Sequence, residues 1–199
     1  MAGARVSCEF GNSGYIGEMA QLSWMALSYR LPSAPTRLRL AVWRRLKRIG
    51  AVLLHDSVWI LPTDGKTREA FEWLAEEIEE QGGTAFIWEA LSIQSLQDRE
   101  IIDRFLAEAD ARYALLAESA RRLQRLGMRR RVRLPQLQQV RRQLLGLERA
   151  LRLDRRRDYF RAPGRSGAEE AVRQATADLD RLIKPAERAG EGRTRALGH

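Results

Sequence analysis

Three consecutive residues in the stretch "RIGAVLLHDSVWILPT" have side chains that could do hydrolytic chemistry. His55, Asp56 and Ser57 stand between two apolar runs, and they are the residue types of a hydrolytic triad. A triad converges from separate segments, whereas neighbouring side chains on a strand point to opposite faces. No G-x-S-x-G nucleophile motif occurs in the chain. Because Asp tolerates the backbone of a tight turn, we interpret these residues as a turn and predict no catalytic residue and no enzyme.

Residues that bind metals or cofactors are also sparse. The chain has one cysteine, Cys8, and two histidines, His55 and His199, of which His199 is the last residue. The acidic residues of segment 69–80 fit the solvent-facing side of a helix, and no glycine-rich phosphate loop is present. We therefore predict no metal site and no cofactor.

The strongest chemical signal is an arginine-rich segment, residues 121–161. It contains 15 arginines and three acidic residues, a net charge of +12. The planar guanidinium group matches phosphate oxygens in two-pronged geometry, so this segment predicts binding to the phosphate backbone of a nucleic acid. The alternative is a protein that uses arginine where others use lysine, partly neutralised by the acidic segment 64–120. The residues predicted to contact DNA are Arg129, Arg130, Arg131, Arg133, Arg141, Arg142, Arg155, Arg156 and Arg157.

The whole chain has the size and composition of a globular protein. Its 199 residues suffice for one domain with an extension, or for two small domains, and its net charge is +9. No apolar run approaches the roughly 18 residues that cross a bilayer, and the first residues lack the apolar core of a signal peptide. A single cysteine forms no internal disulfide. We expect a cytoplasmic protein without membrane contact, and a disordered leader over residues 1–21.

The first half of the chain alternates strand and helix patterns. Residues 22–31 predict a strand, and a helix should follow and end at Gly50. Two short strands separated by His55 and Asp56 form a hairpin, after which a helix runs to Gly82 and a strand covers residues 84–93. This order predicts an α+β fold, a ferredoxin-like βαββαβ module over residues 22–93, with both helices on one face of the sheet. The five tryptophans are interpreted as core or interface residues.

The second half of the chain is predicted to be helical throughout. Apolar residues at helical spacing predict one long helix over residues 94–126, a second from about 136 to 160, and a third that ends near Ile183. We therefore expect a helical region over residues 94–185 and a disordered tail over residues 186–199. Whether the helices form their own domain or pack across the sheet is left open.

Several stretches of the first half resemble a known family. They are "VWRRLKRIGA", "HDSVWILP" and "GGTAFIWEA", together with a strand that ends at Pro32. Over about residues 22–91 the chain is similar to the N-terminal domain of the ChrB family, and also to the ferredoxin-like module of PaaX-type repressors. The resemblance implies a regulator of chromate-resistance operons, with chromate as effector. A full-length ChrB has a further C-terminal domain, which we do not expect in these 199 residues.

The sequence thus favours a DNA-binding transcriptional regulatory protein associated with chromate resistance. Two other classes stay open. One is a protein that binds chromate or sulfate directly, because clustered arginines hold a tetrahedral dianion as they hold phosphate. The other is a helical protein-interaction module without DNA binding, whose partner is a second copy or a separately encoded ChrB C-terminal domain.

Overall fold

The computed structural model describes residues 22–32, 36–129 and 132–196 of the chain. Four strands and five helices follow one another along these residues. They are β1 (Ser23–Arg30), α1 (Thr36–Ile49), β2 (Val52–His55), β3 (Val58–Pro62), α2 (Gly65–Glu80), β4 (Thr84–Leu91), α3 (Ser95–Gly127), α4 (Leu134–Arg156) and α5 (Gly164–Ala196).

The strands form one antiparallel sheet in the order β2-β3-β1-β4. This order, with the element sequence βαββαβ, confirms the predicted α+β, ferredoxin-like arrangement. We call the part from β1 to β4, with α1 and α2, the sheet module. In the hairpin between β2 and β3, His55 still belongs to β2 and the turn consists of Asp56 and Ser57, one residue later than predicted. Asp56 has a φ of 41°, a left-handed conformation that Asp accepts more readily than most residues.

One face of the sheet carries α1 and α2. Alternate β1 residues Met25 and Leu27 are fully buried, and they share their core with Leu46 of α1 and Phe71 and Leu74 of α2. Helix α2 begins with a reciprocal cap, since Asp64 Oδ1 accepts from the Thr67 amide at 2.7 Å and Thr67 Oγ1 accepts from the Asp64 amide at 2.9 Å. The predicted placement of both helices on one face is therefore confirmed.

The opposite face of the sheet is covered in part by the first turns of α3. Trp24 of β1 stacks on Phe105 of α3, with ring centroids 6.0 Å apart. Its indole Nε1 donates to Asp98 Oδ1 at 2.7 Å, so that the buried carboxylate and the buried ring N–H satisfy each other. The helical region therefore packs across the sheet, which answers the question that the sequence left open.

A second core lies between α3, α4 and α5. Tyr113 of α3 is fully buried there, and its hydroxyl donates to Asp158 Oδ2 at 3.0 Å. We call α4, α5 and the part of α3 from Ala109 onward the helical bundle. Since α3 contributes Ile101 and Phe105 to the first core and Ala109 onward to the second, one continuous helix belongs to both.

A joint connects the end of α4 to the end of α1. Arg157 Nη1 donates to the Lys47 carbonyl at 2.8 Å, and the Tyr159 hydroxyl donates to the Ile49 carbonyl at 2.7 Å. Both carbonyls belong to the last turn of α1, whose C=O groups have no partner within the helix. Gly50 follows with a φ of 82°, and a Cβ at this position would lie 2.7 Å from Arg157 Cβ. Only glycine fits both the conformation and the close approach.

Further sequence predictions differ from the structure. Of the five tryptophans that were interpreted as core or interface residues, Trp24 and Trp59 lie in the core, whereas Trp43, Trp73 and Trp88 are about half exposed and do not. Helix α4 ends at Arg156 instead of 160, because residues 157–163 turn inward to build the joint.

Helix α5 does not end near Ile183. It passes through Pro185 and continues to Ala196, into the segment that was predicted to be disordered. Its alanine, glutamate and arginine residues are good helix formers. The predicted leader, residues 1–21, and residues 197–199 lie outside the described residues.

Candidate nucleic-acid interface

Helix α4 turns one side toward the bundle and the other side toward solvent. Leu137, Val140 and Leu144 recur every three or four residues and are buried against α3 and α5. On the opposite side, arginines recur at seven-residue spacing, which brings them onto one stripe of the helix. We call this stripe and its neighbours the outer face of α4; all of its arginines are exposed, and they are Arg141, Arg142, Arg149, Arg152 and Arg156.

The acidic residues of the arginine-rich segment all point inward. Asp154 is buried and accepts from Arg112 Nε at 2.9 Å and from Arg157 Nε at 2.7 Å. Asp158 is buried beside Tyr113, and Glu148 accepts from Thr176 Oγ1 at 3.2 Å. The carboxylates of this segment are therefore used inside the protein, and the outer face of α4 keeps its positive charge.

Two of the predicted arginines form ion pairs with α5. Arg141 Nε lies 3.7 Å from Asp180 Oδ1, and Arg155 Nε lies 3.3 Å from Glu169 Oε1. Half of each arginine side chain is still exposed, and exposed pairs of this kind contribute at most about 1 kcal/mol. Both guanidinium groups can therefore exchange a carboxylate for a phosphate at low cost.

Arg157 has a different position from the other predicted residues. Its side chain is 17% exposed, and its donors go to the Asp154 carboxylate and to the Lys47 carbonyl in the joint. The structure therefore gives Arg157 an internal contact that holds the joint together. Sequence alone placed it with its neighbours Arg155 and Arg156, both of which are exposed.

The predicted loop is described only at its two sides. Arg129 follows the end of α3 and is exposed, and so is Arg133, whose amide donates to Gln136 Oε1 at 3.0 Å at the start of α4. Arg130 and Arg131 lie outside the described residues. Arg129 and Arg133 stand at the end of the bundle that is far from the sheet.

Two outer-face arginines were not among the predicted contacts. Arg149 and Arg152 lie between Arg142 and Arg156. The seven-residue interval from Arg142 to Arg156 identifies Arg149, and Arg152 follows Arg149 by three residues, which is also a helical spacing. At a rise of 1.5 Å per residue, Arg142 and Arg156 are about 21 Å apart along the helix. At 3.4 Å per base pair this is the length of roughly six base pairs of duplex DNA.

The outer face ends at a cleft in the joint. This joint cleft has a volume of about 330 Å³ and lies between the end of α1, the start of α2 and the end of α4. Positive side chains come from all three helices. They are Arg48, Lys66, Arg156 and Arg157, and the other polar residues of the lining are Asp64, Thr67 and Tyr159. Burial, and then the charge of Asp64, raise the pKa of Tyr159 to about 12, so its hydroxyl keeps its proton at neutral pH.

The residues that the sequence offered for hydrolysis or metal binding do not form a site. Asp56 and Ser57 form the turn of a hairpin between the paired residues His55 and Val58, so these side chains do not converge as those of a hydrolytic triad would. Across the described part of the chain, no group of three His, Cys, Asp or Glu residues could hold a metal ion. Among the helices that the structure describes, none is long and apolar enough to cross a membrane.

Comparison with known proteins gives one family. The family described as "Protein ChrB, N-terminal" matches residues 39–188, which include the sheet module from α1 onward and most of the helical bundle. A curated relative, Protein ChrB of Cupriavidus metallidurans, is 27% identical over 95 residues. That match covers 47% of this chain and 28% of the relative, so it spans little more than a quarter of that protein's length. No solved structure matches the chain significantly.

Proposed function

The chain belongs to the family of ChrB N-terminal domains, and from this premise we propose that it is a DNA-binding regulatory protein. The family links the chain to chromate resistance. We propose that the outer face of α4 is the surface that binds DNA, and that its arginines contact phosphates of the backbone. In this proposal the protein acts in the cytoplasm by binding and not by catalysis.

One observation supports this proposal above the others. Within the part of the chain that the structure describes, Arg142, Arg149, Arg152 and Arg156 form no ion pair, and no acidic side chain lies on the same stripe. A protein that carried arginine merely in place of lysine would be expected to spread these charges among carboxylates. Four unpaired guanidinium groups along about 21 Å of one helix instead match a linear array of phosphates.

Phosphate contacts position a protein on DNA but do not read its sequence. The proposed surface therefore supplies affinity and orientation, and selectivity for an operator must come from contacts to base edges or from DNA shape. Chromate as an effector, and a second ChrB domain as a partner, remain parts of the proposal that derive from the family and not from this surface.

The test is a DNA titration of a double variant. Arg142→Ala with Arg149→Ala should weaken binding to a specific and to a scrambled duplex by the same factor, because both contacts are to the backbone. The slope of log K against log salt should become less steep by about 2, one unit for each lost phosphate contact. Fluorescence anisotropy at several salt concentrations measures both quantities.

The matched control is Arg173→Ala on α5. Arg173 is exposed as well, but it pairs with Glu170, so its loss removes one positive charge from a surface that is already neutralised. The control should bind DNA like the wild type. If the Arg142 and Arg149 variant also binds like the wild type, α4 is not the DNA-binding surface.

A second candidate function, protein interaction, is favoured by the exposed face of β4. Phe86 and Trp88 are 61% and 48% exposed and stack with their ring centroids 6.0 Å apart. β4 is an edge strand of the sheet, and an open apolar edge is a template for pairing with another chain. The other edge strand, β2, has its carbonyls at Leu53 and Leu54 covered by Arg104.

The partner in this second candidate is another copy of the chain, paired antiparallel through β4. Light scattering over a concentration series tests it. Trp88→Ser should shift the equilibrium toward monomer, whereas Trp73→Ser, at a tryptophan of α2 that is at least as exposed, should leave it unchanged. A wild-type protein that is monomeric at every concentration would exclude self-association.

A further inference from the structure

The joint cleft collects positive charge from parts of the chain that are far apart in sequence. Arg48 lies in the last turn of α1, Lys66 in the first turn of α2 and Arg156 in the last turn of α4. Among the described residues, none of these three forms an ion pair with a carboxylate. Three unpaired cations around one cleft repel each other, and an anion between them would remove this repulsion.

The remaining charges of the cleft are already engaged. Arg157 is paired with Asp154, which lies outside the lining, and Asp64 caps α2 through the Thr67 amide. Even with Asp64 counted as a full negative charge, the three unpaired cations leave the lining at +2. The cleft is therefore a positive site and not an internal salt-bridge network.

The backbone around the cleft adds to the same polarity. The first N–H groups of α2 have no partner within the helix, and the positive end of the helix dipole lies at Gly65 and Lys66. The last turn of α1 would oppose an anion, but Arg157 and the Tyr159 hydroxyl already cover its carbonyls at Lys47 and Ile49. Apart from the Asp64 carboxylate, an anion in the cleft would thus meet donors.

We propose that the joint cleft binds one phosphate group of the DNA backbone, held between Arg48, Lys66 and Arg156. This inference rests on the proposed function, because a DNA strand bound along the outer face of α4 would reach the cleft at Arg156. Arg156 belongs both to the outer face and to the lining of the cleft. It adds the sheet module to the DNA-binding surface. It also assigns Arg48 and Lys66 a role in binding.

The walls of the cleft are fixed before DNA arrives. Gly50 lets Arg157 approach α1 closely, and the hydrogen bond from Tyr159 to Ile49 ties the residues after α4 to the same helix. The main chain at Arg48 and Arg156 is therefore already held in place before binding. Such preorganisation favours affinity because less conformational entropy is lost.

A double-mutant cycle tests whether Arg48 and Lys66 share one phosphate. Each of Arg48→Ala and Lys66→Ala should weaken DNA binding roughly tenfold at low salt, the effect of one charge-assisted hydrogen bond. If the two residues contact the same group, the loss in the double variant should differ from the product of the single losses by about threefold or more. Both side chains are exposed, so the variants should fold, which circular dichroism checks.

Two controls accompany the cycle. Lys66→Ala combined with Arg142→Ala should give the product of the single losses within about twofold, because Arg142 lies about 21 Å from Arg156 along α4. Arg39→Ala removes an exposed charge of α1 outside the cleft and should leave the affinity unchanged.

A second arm separates a backbone phosphate from a free anion. Thermal unfolding without DNA is followed in sodium sulfate and in sodium chloride of equal ionic strength, for the wild type and for Lys66→Ala. Loss of DNA affinity with coupling between Arg48 and Lys66 supports the proposal, whether or not sulfate also stabilises the protein. Stabilisation by sulfate that Lys66→Ala abolishes, with unchanged DNA affinity, would assign the cleft to a free oxyanion and overturn it.

If the variants keep the DNA affinity of the wild type in the first arm and its thermal unfolding in the second, the proposal is overturned as well. The proposed function would still stand in that case, provided that the double variant at Arg142 and Arg149 loses affinity. A wild-type protein that binds no duplex at any salt concentration would instead remove the proposed function and this inference together.

Discussion

Replacing Gly50 by alanine tests the joint between the sheet module and the helical bundle. Two costs are expected. A left-handed conformation costs a residue with a Cβ about 1–2 kcal/mol, and Gly50 has a φ of 82°. The new Cβ would also lie 2.7 Å from Arg157 Cβ and 3.0 Å from the Arg157 carbonyl oxygen, and relieving such an overlap costs about 1–3 kcal/mol. The free energy of unfolding should therefore fall by about 2–5 kcal/mol.

Gly82 provides the matched control. Its φ of 76° is nearly the same, but a Cβ there would meet no atom within 4 Å. Gly82→Ala should therefore cost only the conformational part, about 1–2 kcal/mol. Urea unfolding followed by circular dichroism gives both values. If Gly50→Ala costs no more than Gly82→Ala, Arg157 does not lie against α1, and the joint and its cleft are wrong.

Further predictions concern the buried polar groups. Asp154→Asn should lower the free energy of unfolding by about 3 kcal/mol, because it leaves the partly buried Arg157 without a counter-charge and Arg112 with only its longer pair to Glu108, at 3.9 Å. Urea unfolding measures this change, and a loss below about 1 kcal/mol would refute the pair. The pKa of Tyr159 is about 12 in the folded protein against 10 when unfolded, so stability that is present below pH 10 should be lost as the pH rises toward 12. Tyr159→Phe should remove part of this alkaline loss of stability. Thermal unfolding between pH 9 and pH 12 would detect the difference. If the variant and the wild type lose stability identically with pH, Tyr159 does not cause the loss. Trp24→Phe should cost about 1–3 kcal/mol by removing a hydrogen bond to buried Asp98, and a neutral effect would contradict that contact.

Much of the sheet module could be predicted because its signals are local. Periods of about two and 3.6 residues distinguish strands from helices, and Gly50 and Gly82 mark helix ends through their positive φ. The exposure of Trp43 and Trp73 could not be predicted in this way. Apolar residues at helical spacing indicate a buried face, but they do not say whether a large aromatic at its margin reaches the core.

The structure of the helical half could be predicted only in part from local sequence patterns. The pattern predicts the length of α3 well, yet nothing local reveals that Ile101 and Phe105 cover the sheet while Ala109 onward builds a second core. The extension of α5 past Pro185 was also missed, because a proline within a helical pattern is read as its end.

The sequence shows the positive charge of the candidate site, but not the position of each arginine. The excess of arginine over acidic residues is visible in the sequence, and Arg141, Arg142, Arg155 and Arg156 do lie on the surface. The inward position of Arg157 depends on Asp154, Arg112 and the end of α1, which come together only in the folded chain. Lys66 is distant in sequence from the arginine-rich segment, so only the tertiary structure places it beside Arg156.

The salt dependence of DNA binding tests the central claim most directly. If Arg142, Arg149, Arg152 and Arg156 each neutralise one phosphate, the slope of log K against log salt should be about −3.6 or steeper, at about 0.9 per phosphate. The same slope should be found for an operator and for a scrambled duplex, because these contacts carry no sequence information. A slope near zero, or no binding at 50 mM salt, would contradict the account.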